Sequence, residues 1–217
     1  MIVGRVFRDR HDAGRDLARH LARYANVPDV VVLGLPRGGV PVAYEVAAAL
    51  HVPLDVFVVR KLGFPGHEEL AVGAIASGGG VILDQDLSAG LTKAQLDAVI
   101  RRELAELDRR ESIYRRARPA LSVKGKVVIL VDDGLATGAT MHAAVRSVRS
   151  LGAKRIVVAV PVSSQQAVDS LRLEADDVIA TQIPAAFYAV GAYYDDFRQT
   201  SDEEVEALLS STFPKAS

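Results

Sequence analysis

The sequence predicts an α/β domain with a central, mostly parallel sheet flanked by helices. Three observations lead there. Short runs rich in Val, Ile and Leu recur at 30–33, 54–59, 127–131, 155–160 and 177–180. Segments with helical periodicity separate most of these runs, which is the spacing of β-α-β units. The run Val127-Val128-Ile129-Leu130-Val131 is apolar at every position, as a strand covered on both faces must be.

Each element follows in order. From His11 to Tyr24, residues Ala13, Leu17, Leu21 and Tyr24 share one face of a predicted helix. Val30–Leu33 is a buried strand, 40–50 an Ala-rich buried helix and 54–59 the next strand. The glycine-rich stretch 60–80 reads as loop, broken by a strand at 71–76 that 81–83 would pair as a hairpin. Thr92 to Arg118 is a long polar helix with Leu96, Ile100, Leu104, Leu107 and Tyr114 on its apolar face. Glu106→Arg110 and Glu111→Arg115 stand at supportive i,i+4 spacing, and the charges read as a solvated face.

After the 127–131 strand comes a helix to about Leu151. A strand at 155–160, a helix from Gln165 to Leu173 and a last core strand at 177–180 follow. Past Ile183-Pro184 the chain turns rich in Tyr and Asp. Ser201, before Asp202-Glu203-Glu204, N-caps a final helix with an acidic first turn, running to about Ser210.

At 217 residues the chain predicts a single domain, 1–217, with room for a small appended subdomain. A formal net charge of −1 provides no field to draw nucleic acid or a membrane surface. The lack of cysteine excludes disulfides, thiolate metal sites and thiol catalysis. No stretch nears the roughly 18 apolar residues of a membrane span, and Met1-Ile2-Val3-Gly4-Arg5 has no signal-peptide core. A cytoplasmic protein is expected. His20, His51 and His142 lie in or beside helices and read as structural. His67-Glu68-Glu69 lacks a metal-ligand spacing.

The chemistry concentrates after the strand at 127–131. Asp132 and Asp133 end it, where ligands of parallel sheets bind. The loop Gly134-Leu135-Ala136-Thr137-Gly138-Ala139-Thr140 then enters a helix. Its small residues let backbone N–H groups wrap an anion, Thr137 and Thr140 add hydroxyls, and the helix aims its positive end at the same place. An anion cradle beside two carboxylates suits a phosphorylated sugar. The bend Leu35-Pro36-Arg37-Gly38-Gly39 after the strand at 30–33 offers a second anion loop. Arg60 and Lys61 end the strand at 54–59, on the same edge.

This apolar strand, Asp-Asp pair and Thr-Gly-x-Thr loop resemble the motif for 5-phosphoribosyl-1-pyrophosphate (PRPP) in type I phosphoribosyltransferases. The match is specific because the parts occur in order, and no Gly-Lys-Ser/Thr of a Walker A loop is present. The resemblance spans most of the chain from Val30 to Arg198. It implies a Rossmann-like type I phosphoribosyltransferase fold, with a core at about 25–182 and a hood from the N-terminal segment and about 183–217.

The resemblance also implies site roles. Asp132 and Asp133 would be catalytic, and Ala136, Thr137, Gly138, Ala139 and Thr140 would hold the 5-phosphate. Pro36, Arg37, Gly38, Gly39, Arg60 and Lys61 would hold pyrophosphate, and the bond between Pro36 and Arg37 would be cis. The Gly/Pro-rich stretch after Lys61 resembles a flexible lid, most nearly that of the adenine enzymes. Phe187 through Arg198 resembles the 6-oxopurine enzymes, so Phe187 or Tyr188 would stack on a base and Asp195 would approach Mg²⁺ through water. Ala136 departs from the oxopurine pattern and matches the adenine and orotate enzymes, which leaves the base open. Mg²⁺, PRPP, a nitrogenous acceptor and a homodimer are the implied cofactor and partners. A PRPP- or nucleotide-binding regulator of the same fold is the alternative.

Overall fold

The computed structural model describes residues 4–116 and 118–211, the side chains of Glu68 and Glu69 excepted. Met1-Ile2-Val3 of the N-terminal reading lie outside the described residues.

The chain opens with α1 (Arg10–His20), β1 (Val30–Gly34), α2 (Gly39–Leu50) and β2 (Leu54–Val56). Next come β3 (Val59–Phe64), β4 (His67–Ala76), β5 (Gly80–Leu83), the short α3 (Gln85–Ser88) and α4 (Lys93–Arg115). The rest is β6 (Val127–Val131), α5 (Ala139–Ser150), β7 (Arg155–Val162), α6 (Gln165–Leu171), β8 (Asp177–Gln182) and α7 (Asp202–Ser211).

Five strands form a parallel sheet in the order β2-β1-β6-β7-β8. Alternation along each strand builds two cores. Val30, Val32, Ile129 and Val131 face α1, α2, α4 and α7, whereas Val31, Leu33, Val128 and Leu130 face α5 and α6. From β1 the chain turns toward β2, and from β6 it turns the other way, toward β7 and β8. The loops after β1 and β6 therefore diverge, which opens a crevice at the carboxyl ends of two adjacent strands.

The strand expected at 54–59 is interrupted. Phe57 N still donates to Gly34 O at 3.0 Å, but Val58 N donates to Ser77 Oγ at 2.8 Å. Val59 then begins a separate antiparallel sheet, β3-β4-β5. Of the loop expected over 60–80, the part before 71 is corrected to one arm and the turn of a β-hairpin of β3 and β4, turning at Pro65-Gly66, whereas the expected pairing of 71–76 with 81–83 forms between β4 and β5. The glycines before 71 suggested loop, yet they serve the hairpin. Gly66 adopts φ +80° in the turn, and a Cβ on Gly73 would strike the backbone carbonyl of Ile82 on β5.

Thr92 N-caps α4 in a capping box with Gln95. The helix buries Val99, Glu103, Leu107, Tyr114 and Arg115, while Leu96, Ile100 and Leu104 are only half-buried. The solvated face is thus corrected at Arg115, which is buried against Asp55. Both expected i,i+4 pairs form, at 2.8 Å each.

A third apolar cluster joins the chain's N-terminal segment to the stretch after β8. Phe7, Ala13, Tyr193 and Tyr194 pack on Val162 at the carboxyl end of β7, with Phe187, Val190 and Ala192 against them. Phe7 N donates to Tyr193 O at 2.8 Å. Among the described residues no helix is long and apolar enough to cross a membrane.

Candidate active site

The bend after β1 and the loop after β6 meet in the crevice. Leu35 N donates to Val131 O at 2.9 Å, which ties the start of one to the root of the other. The Pro36–Arg37 peptide is cis, as expected. Gly38 and Gly39 then lie against the acidic pair. A Cβ on Gly38 would run into Asp133 Oδ2, and one on Gly39 would sit 2.7 Å from Val131 O and 3.0 Å from Asp132 Oδ1. Glycine at both positions is what lets the two loops touch.

Asp132 Oδ1 accepts the N–H of Asp133 at 2.9 Å. Burial, and then the neighbouring Asp133 carboxylate, push the Asp132 carboxyl well above the ordinary aspartate range. Burial raises Asp133 as well, against the pull of a guanidinium that the sequence reading did not place here. Arg10, the first residue of α1, donates from Nε to Asp133 Oδ2 at 2.8 Å, and its Nη2 lies 2.8 Å from the same oxygen. The Asp133 carbonyl accepts the Tyr194 hydroxyl at 2.6 Å.

Gly138, at φ +74°, carries the chain from the loop into α5. Thr137 and Thr140 are exposed beside it, and Thr137 Oγ1 accepts Ala139 N at 3.4 Å. The loop's other wall is close: a Cβ on Gly134 would collide with Val190. Thr140 and Ala139 also line a cavity of about 180 Å³ together with Lys61 and Arg146.

The remaining candidates are more dispersed. Arg37 is half-buried, with Nη1 3.9 Å from Asp202 Oδ1 on α7. Arg60 turns to α4, where its Nε donates to Glu103 Oε2 at 3.0 Å. Lys61, next on the strand, points the other way, toward the start of α5. Phe187 stacks on Tyr193 with ring centroids 5.9 Å apart, so its face is partly taken. Tyr188 is 83% exposed. Asp195 is exposed, and its N–H donates to Phe7 O at 2.8 Å. Among the described residues no three His, Cys, Asp or Glu side chains converge to hold a metal. A cation here would have to share the acidic pair with ligand oxygens.

Residues 8–198 match the family model described as a phosphoribosyl transferase domain. The chain belongs to the phosphoribosyl transferase family. It is 50% identical over 207 residues to a Mycobacterium tuberculosis protein named "Putative phosphoribosyl transferase", an alignment covering 94% of this chain and 46% of that protein. The chain thus spans about half the length of the two curated Mycobacterium tuberculosis relatives it matches. An adenine phosphoribosyltransferase of Symbiobacterium thermophilum is 46% identical over 56 residues, 26% of this chain and 33% of that enzyme. The crystal structure of the Thermus thermophilus protein TT1426 superposes with a TM-score of 0.84 at 48% identity, covering 95% of this chain and 98% of that one.

Within this phosphoribosyl transferase domain, sequence reasoning missed Arg10, Tyr194 and Val190. The first lies 123 residues from its carboxylate partner. Nothing local in Asp9-Arg10-His11 distinguishes it from any arginine in a helix's first turn. Tyr194 did carry a signal, since it sits in the aromatic run singled out after Ile183-Pro184.

Proposed function

We propose that the protein transfers ribose 5-phosphate from PRPP to a nitrogen acceptor, a nucleobase, with release of pyrophosphate. The observation that carries this reading is the meeting of the two anion loops on the acidic pair, at the crevice between β1 and β6. A donor with a phosphate at one end of a sugar and a pyrophosphate at the other fits such a site.

In the reaction, the bond between ribose C1 and the pyrophosphate oxygen breaks, and its electron pair leaves with pyrophosphate. Positive charge builds on the ring as an oxocarbenium-like species. The acceptor nitrogen gives its lone pair to C1 and then sheds a proton to solvent. The protein forms no covalent intermediate. It aligns the reactants and stabilises charge. Backbone N–H groups of 136–140 and the start of α5 hold the 5-phosphate. Arg37, Gly38 and Gly39 meet the pyrophosphate, and Lys61 adds a cation near the α5 side of the cleft. The acidic pair faces the ribose and the cationic ring. Tyr188 has its face open for a flat base, and Phe187 borders it.

Mg²⁺ keeps much of its hydration shell, so Asp132 and Asp195 would hold it through water and would not need to form a dedicated protein cage. When bound, that ion would neutralise charge on the departing pyrophosphate.

The test is pyrophosphate release from PRPP with Mg²⁺ present, against a panel of purines, pyrimidines and small amines. Release with one acceptor is expected, and abolition by Asp132→Asn with Asp133→Asn in a folded protein. Tight PRPP binding without release for any acceptor would instead identify a regulator.

A further inference from the structure

We propose that Asp202 is a positioning residue for the pyrophosphate site: from the first turn of α7 it sets the Arg37 guanidinium on the bend after β1, and Tyr114 on α4 sets Asp202 in turn. The inference rests on the transferase reading above and brings the helix α7 into the donor site.

The chain of contacts is short. Tyr114 is buried, and its hydroxyl donates to Asp202 Oδ1 at 2.7 Å. The same oxygen lies 3.9 Å from Arg37 Nη1. Burial first, and then the bond to Asp202, push the Tyr114 phenol upward, while the charges of Arg110 and Arg37 pull it down. Phenol, carboxylate and guanidinium are thus near enough to act on one another.

Asp202 is not needed as the helix cap. Ser201 takes that part, its Oγ accepting Glu204 N at 3.1 Å. The helix itself is anchored. Val205 and Leu209 are buried in the core shared with α2 and α4, and Arg118 donates from Nη1 to Leu209 O at 3.0 Å. A carboxylate on such a frame moves little.

Arg37 precedes two glycines, which give a guanidinium nothing to lean on. A loose arginine would lose its side-chain freedom each time it closed on an anion. Held through one nitrogen, it keeps its other N–H donors for pyrophosphate oxygens. Against this stands charge, since a carboxylate near the site repels an anion. Asp202 sits at the positive end of α7 and accepts from Tyr114, and both offset its charge. Preorganisation therefore prevails. The Arg37 side chain is 33% exposed and that of Asp202 37%, so solvent keeps the pair weak and the expected effect moderate.

The experiment is a mutant cycle on the binding of inorganic pyrophosphate, measured by calorimetry. Arg37→Gln weakens binding about tenfold. Asp202→Asn can still accept from Tyr114, but loses the pull on Arg37. It weakens binding about fivefold and raises KM for PRPP to match, with kcat and Tm little changed. Asp202→Glu keeps most of the affinity, and Tyr114→Phe falls between the wild type and Asp202→Asn. Adding Asp202→Asn to Arg37→Gln weakens binding no further than Arg37→Gln alone, because the first acts through the second.

An Asp202→Asn protein that binds pyrophosphate as tightly as the wild type, or more tightly, overturns the proposal. So does a double variant in which the two losses multiply. Pyrophosphate binding is read without turnover. The expected pattern in a protein that releases no pyrophosphate from PRPP would remove the transferase reading and leave the role of Asp202 standing. Release from PRPP with binding indifferent to Asp202 would do the reverse.

Discussion

Arg115 Nε lies 3.0 Å from Asp55 Oδ1, with both side chains about nine-tenths buried. The pair closes the free edge of β2. Asp55 Oδ2 also accepts Leu121 N at 3.0 Å, and Arg115 donates to Val56 O at 2.9 Å. Arg115→Met would leave the Asp55 carboxylate buried without its cation. A loss of about 3–5 kcal/mol is expected in urea unfolding. Asp55→Asn added to it should recover part of that loss, because the stranded charge goes with it. A single variant as stable as the wild type would show that the pair holds nothing together.

Asp132 gives stability a pH dependence of definite sign. Its carboxyl is raised by burial and by Asp133 above the ordinary 3.8. Between that value and the raised one, the folded chain holds a proton the unfolded chain has lost. Unfolding free energy therefore falls as pH climbs through the window. Asp132→Asn should raise Tm at pH 7, and the gain should vanish as pH falls well below 3.8, where both states are protonated. Calorimetric scans from acid to neutral pH check this, and an equal shift at every pH would contradict it.

Tyr194 is held unionised. Burial first, and the nearby Asp133 charge second, push its phenol upward. In an alkaline absorbance titration its signal should appear only with global unfolding. Tyr194→Phe leaves the Asp133 carbonyl without its donor and should cost about 1–3 kcal/mol. Loss of stability too small to measure would mean that water replaces the hydroxyl at no cost.

Two glycines separate close approach from backbone freedom. Gly38 has φ −62° and ψ −32°, which alanine adopts readily, yet its methyl group would meet Asp133. Gly38→Ala should therefore weaken pyrophosphate binding at least about tenfold with modest change in Tm. Gly66 has φ +80° and nothing within 4 Å of a Cβ, so Gly66→Ala should cost about 1 kcal/mol of hairpin stability and leave binding intact. Calorimetry of both variants distinguishes the two causes, and equal effects on binding would merge them.

Strands β1, β6 and most of β7 were readable because each is covered on both faces, so its sequence is a run of apolar residues with little else to mean. The loops after β1 and β6 were readable for a related reason, since glycine and threonine at strand ends have few other uses. The hairpin at 59–76 was not. Gly63 and Gly66 read as loop, and only the approach of the Ile82 carbonyl to Gly73 shows why the expected strand at 71–76 carries a glycine. Arg115 was misjudged because its charges to the left and right along α4 do face solvent, and burial at one position depends on Asp55, 60 residues away. Arg10 was unreadable on the same ground. Pairing across distant segments leaves no period and no local motif.

The contact of Gly38 with Asp133 bears on attempts to redirect the protein toward new acceptors. Because the bend and the acidic residue share one van der Waals surface, mutating either to change selectivity would deform the half of the cleft proposed to hold the donor. Diversity is better introduced at Tyr188, whose side chain is 83% exposed and lies outside both anion loops. A library confined to that position leaves the bend and the acidic pair unchanged.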